Sequence, residues 1–223
     1  MLETEFHTLL QKNLLAENVS GWCRNFYGDT EKIKQIFEEE LSAKLDLVLQ
    51  KKMILAEVTL NEAWSGMGDA NCRKWNIWKQ LIQKVQEVCP EAISNTILEE
   101  RLVDALNRDI QECYTLFLNN PIETVATNKK TVIKRDRLLK AYAAFGIQLV
   151  LIIYNYDAVE KIFPVSEKEG GSLFQDLFNL SPKANSSNKN RIVLVSQKEA
   201  GDYAHDMDAG SSFIAAYPEV HLE

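Results

Sequence analysis

The chain has 223 residues, of which 46% are hydrophobic and 26% charged, and a formal net charge of −7. That is enough apolar material for one large core, and the acidic balance argues against a nucleic-acid partner, whose phosphates need a basic face. No apolar stretch reaches the ~20 residues of a membrane span, and Met1 to Asn13 lacks the pattern of a signal peptide, so the expectation is a cytoplasmic protein with no membrane partner.

The cysteines Cys23, Cys72, Cys89 and Cys113 are scattered without a CxxC pair, which reads as reduced, buried thiols. His7, His205 and His221 form no ligand spacing, and no metal site is indicated. His205 sits among Asp202, Asp206 and Asp208, which read as a solvated acidic loop.

In chain order, Leu2, Phe6, Leu9 and Leu10 fall at helical spacing within Met1 to Leu15 and predict a short amphipathic helix. Glu17 to Cys23 is a candidate strand. Asp29 and Thr30 are good N-cap residues for a helix to about Gln50, whose stripe is Ile33, Ile36, Phe37, Leu41, Leu45 and Val48. Met53 to Leu60 is apolar and β-branched, a second strand. Asn61 to Cys72, with Gly66 and Gly68, reads as a loop.

A helical pattern over Arg73 to Val88 is closed by Pro90, and another runs from Ser94 to Leu118. Pro121 to Thr131 is polar. Its Lys129 and Lys130, with Lys134, Arg135 and Arg137 beyond, read as a solvated helix face. Val132 to Phe145 is a helix ending at Gly146.

From Ile147 to Tyr154 the chain is apolar except for Gln148, then turns abruptly polar at Asn155 and Asp157. Such a run predicts a central parallel strand buried on both faces. In open α/β sheets the ligand crevice lies beyond the carboxyl ends of the strands, where Asn155 and Asp157 would sit.

Leu173 to Leu180 is a short helix and Ser181 to Lys189 a polar loop. Ile192 to Ser196 is a third strand, and Glu219 to Leu222 a last one. Arg191 and Lys198 read as solvated. Strands alternating with helical stretches predict a single three-layer, doubly wound α/β domain over residues 1–223.

The segments LLKAYAAFGIQLVLIIYNYDAVEKIF, SLFQDLFNL, RIVLVSQK and SSFIAAYPEVHL together resemble the second half of a bacterial STAND or AAA-like P-loop NTPase. In that family a hydrophobic strand ends in the acidic Walker B motif, and a later strand ends in Ser or Thr. The resemblance implies a mostly parallel five-stranded sheet of order 5-1-4-3-2, with residues 73–131 as a helical insertion. It places the degenerate nucleotide site at Gly28, Asp29, Thr30, Tyr154, Asn155, Asp157 and Ser196.

The charged positions of the family pattern are replaced. The best counterpart of G-x-x-x-x-G-K-[ST] is Cys23 to Thr30, in which Gly28 and Thr30 fit but the first Gly is Cys23 and the Lys is Asp29. Phe26 and Tyr27 are bulky where a loop must wrap around phosphate. Capping alone also explains a Gly-Asp-Thr turn before a helix. At the Walker B end, Tyr154 replaces the Mg²⁺-linked Asp and Asn155 the water-activating Glu.

Phosphoryl transfer rests on positioning and charge neutralisation, so these replacements imply an inactive domain with no catalytic residues and no cofactor, with ATP and Mg²⁺ disfavoured. The expected role is a scaffold or adaptor binding another protein, of the kind found in bacterial signalling and conflict systems. The acidic helix Glu31 to Leu49 and the insertion Arg73 to Leu118 are the candidate partner surfaces. Two alternatives stand beside it. One is a nucleotide-binding regulatory domain or slow NTPase using Gly28, Thr30, Asn155 and Asp157, with Arg24 supplying positive charge. The other is an unrelated enzyme using Asp157 with Glu57 or Ser196.

Overall fold

A computed structural model describes residues 7–14, 22–50, 53–68, 72–74, 76–77, 148–163, 177, 190–199, 202 and 219–222. Its centre is a five-stranded sheet of order β2-β3-β4-β1-β5. The strands are β1 (Trp22–Gly28), β2 (Met53–Thr59), β3 (Gln148–Tyr154), β4 (Arg191–Ser196) and β5 (Glu219–Leu222). Every ladder is parallel: β2 with β3, β3 with β4, β4 with β1, and β1 with β5. The α/β class and the strand order agree with the sequence expectation. β3 is interior as expected, but the middle place belongs to β4, whose residues are all buried.

Helix α1 (Thr30–Gln50) joins β1 to β2. Ile33, Ile36, Phe37 and Leu41 are buried and share one cluster with Phe26 of β1, Val150, Ile152 and Tyr154 of β3, Val193 and Val195 of β4, and Val220 and Leu222 of β5. The 3.6-residue period of the helix therefore meets the two-residue period of the strands on a single face of the sheet. The Phe37 ring stands edge-on to Phe26 at 5.6 Å and to Tyr154 at 6.4 Å between centroids. Each such buried side chain stabilises the fold by about 1.5–3 kcal/mol relative to exposure.

The alternate residues face the other side and are also buried: Ala56 and Val58, Leu149, Leu151 and Ile153, and Ile192 and Leu194. Interior parallel strands covered on both faces explain why β3 and β4 read as unbroken apolar runs.

The amino-terminal helical segment covers His7 to Leu14, with a π-helical turn over Leu10–Leu14. Leu10 is fully buried in the α1 cluster, and Glu40 of α1 holds the segment through His7 Nδ1 at 2.7 Å and weaker contacts to Gln11 Nε2.

Several expectations need correction. The first strand is Trp22–Gly28, later than Glu17 to Cys23, of which residues 17–21 lie outside the described residues. After β2 the chain is not plain loop but makes a 3₁₀ turn, Glu62–Gly66, capped by Asn61 Oδ1 accepting from the Ala63 N–H at 2.9 Å. Arg191, expected to be solvated, is fully buried at the start of β4, and that burial pulls its guanidinium below its ordinary pKa. Lys198 is exposed, as expected. The helical expectations for residues 78–145, the His205 loop, and Cys89 and Cys113 fall outside the described residues, whereas Cys23 and Cys72 are buried. Among the described residues, no helix is long and apolar enough to cross a membrane.

Candidate functional site

Because all ladders are parallel, the carboxyl ends of the strands lie along one border of the sheet. α1 carries the chain from β1 to β2 at one edge, whereas the connection after β4 leads to β5 at the other. The order thus reverses between neighbours β1 and β4, the place where open α/β sheets form their ligand crevice. Gly28, Asp29 and Thr30 stand at the tip of β1, Ser196 at the tip of β4, and Tyr154, Asn155 and Asp157 at the tip of β3. The fold brings the residues singled out in the sequence to three adjacent strand ends.

The β1 tip differs most from expectation. Cys23 to Tyr27, which the alignment with the P-loop pattern sets at loop positions, are strand residues in register with Ile192 to Ser196. The strand continues to Gly28, and Asp29 alone separates it from α1. Two bordering strands, β4 and β5, supply hydrogen-bond ladders to this stretch, and that pairing outweighs its mixed composition.

Gly28 has φ +128°, and a Cβ placed there would lie 2.1 Å from the carbonyl oxygen of Leu222, its partner on β5. Glycine is required here by the approach of β5 and the backbone conformation. A phosphate is not needed to explain it.

Asp29 closes the N-terminus of α1. Its Oδ1 accepts from the backbone N–H of Glu31 at 3.2 Å and of Lys32 at 3.1 Å. Those donors, together with the positive end of the helix dipole, are what a helix offers an anion. Here the chain's own carboxylate takes them. Beside it, Asp29, Glu31, Lys32, Lys34, Gln35 and Glu38 line a shallow, open hollow on the helix surface.

At the β3 tip, Asn155 adopts the left-handed conformation at φ 59° and donates through Nδ2 to the Leu60 carbonyl at 3.1 Å. Leu60 N–H in turn donates to Tyr154 O at 3.0 Å, so the ends of β2 and β3 are stitched together. Asp157 Oδ1 accepts a long bond, 3.4 Å, from Gln197 N–H beyond β4. Ser196 is fully buried and donates from Oγ to the Lys198 carbonyl at 2.7 Å.

Tyr154 and Ser196 are not brought together as a pair. Tyr154 points to the α1 face, and Ser196 alternates with Val195 onto the other. The Tyr154 hydroxyl donates to Glu57 Oε1 at 2.9 Å, and Lys34 Nζ lies 5.9 Å from the ring centroid. Burial first, and the neighbouring Glu57 carboxylate second, push the phenol well above its ordinary pKa. It is a neutral donor at any physiological pH, unlike the carboxylate that holds a hard cation.

Arg24, the candidate positive charge, sits on β1 in register with Val193, four residues before the strand end. At about 3.3 Å per residue that is roughly 13 Å below the tip.

Sequence reasoning missed the long-range polar pairs. Asn25 is fully buried and donates through Nδ2 to Glu219 Oε1 at 3.0 Å, and Tyr27 stacks on His221 with centroids 4.7 Å apart. The lone Glu57 in the apolar run Met53 to Leu60 is a local signal for its pair with Tyr154, whereas Asn25 and Tyr27 carry none, because their strand is not legible in the sequence. Arg73, buried, donates to the carbonyls of Ser65 and Gly68 and so fastens the turn after β2.

Among the described residues no group of three or more His, Cys, Asp and Glu is placed to hold a metal ion. Comparison of the chain with protein-family models and with curated proteins finds no match.

Proposed function

We propose that this chain is a catalytically silent P-loop NTPase-like domain, similar to the STAND and AAA-like proteins, that acts in the cytoplasm as a scaffold or adaptor by binding another protein. One observation carries the reading: the N-terminus of α1, where such a domain would receive phosphate, is capped by the carboxylate of Asp29. The strand order and the position of Tyr154, Asn155 and Ser196 at strand ends support the family resemblance.

The neighbouring polar groups support the silence. Asn155 is tied to Leu60, Ser196 to Lys198 and Tyr154 to Glu57. Bringing a nucleotide to this border would require breaking internal bonds and placing phosphate against a carboxylate, with like charges a few ångströms apart. The setting in a bacterial signalling or conflict system rests on the resemblance.

Calorimetric titration with ATP and with GTP, each with Mg²⁺, tests the proposal. The expected result is no heat of binding from the natural chain. Micromolar binding would overturn the filled-site reading and make hydrolysis the next assay. Asp29→Lys, which reverses the charge at the helix N-terminus, is the companion variant. Binding gained only in that variant would identify Asp29 as the group that keeps nucleotide out.

A further inference from the structure

We draw no further inference here: the strongest candidate, the stacked Tyr27–His221 pair at the β1–β5 edge with the Glu199, Glu219 and Asp202 carboxylates acting on the Tyr27 phenol, is an acidic cluster around two aromatic rings, and nothing in the structure shows what it would hold.

Discussion

The tips of β1 and β3 lie on the same border of the sheet and are closed by different means. At β1 the closure is steric and backbone-borne: Gly28 is pressed against the Leu222 carbonyl, and a single residue separates strand from helix. At β3 it rests largely on side chains, with Asn155 bonded to Leu60 and Asp157 reaching Gln197, beside one backbone bond from Leu60 N–H to Tyr154 O. The first kind leaves little freedom to substitution, because backbone cannot swing aside. The second can be exchanged for water at modest cost, since Asn155 and Asp157 are only half-buried. The two tips should therefore respond very differently to mutation.

Gly28→Ala should have the largest effect. The added methyl meets Leu222 O, and alanine disfavours a φ of +128°. A loss of about 3 kcal/mol or more is expected, read as a fall in the urea midpoint. An unchanged midpoint would mean that the β1–β5 contact relaxes freely, and the contrast between the tips would collapse.

Asp29→Ala removes the cap of α1 and should cost about 1 kcal/mol, whereas Asp29→Asn, which preserves an acceptor, should cost much less. Equal losses in both variants would assign the effect to charge at the helix dipole.

Tyr154→Phe deletes the bond to Glu57 and should cost somewhat under 1 kcal/mol near neutral pH, because Glu57 is exposed and regains water. The variant also carries a pH signature. The folded phenol titrates above its unfolded value of about 10, so the unfolded chain loses its proton first. Stability is complete below pH 10 and falls as pH rises above it. Denaturation profiles of the natural chain should decline more steeply over that alkaline range than those of Tyr154→Phe. Parallel profiles would place the phenol in water.

Asp157→Asn should have the smallest effect, within about 0.5 kcal/mol, as expected for one long bond at a half-exposed site. A larger loss would show that the β3 tip is as rigidly built as the β1 tip.

The same contrast explains what was readable from the residues. β2, β3 and β4 announce themselves as apolar, β-branched runs, β5 by the alternation of Glu219 and His221 with Val220 and Leu222, and the α1 stripe by its period, because burial on a pleated or helical surface leaves a local pattern. β1 does not, since Arg24 and Asn25 interrupt it. Asn25 is tolerated inside the sheet because Glu219, 194 residues away, accepts from it. Arg191 departs from expectation for a related reason: its charge says surface, while its place at the start of a strand flanked by β3 and β1 puts it inside. For the site, the capping role of Asp29 was legible because it is local. The need for glycine at 28 was not, because the atom that forbids a side chain belongs to the last strand.

The place of β1 between β4 and β5 also bears on how the chain reaches this structure. β1 comes early in the sequence, yet both of its ladders wait for strands at the far end. Until β4 arrives, an aromatic-bearing strand has two open edges and no native partner, a condition that favours pairing with other chains. Refolding should slow and lose yield as concentration rises. Fragments ending before Arg191 should aggregate even though α1, β2 and β3 are intact.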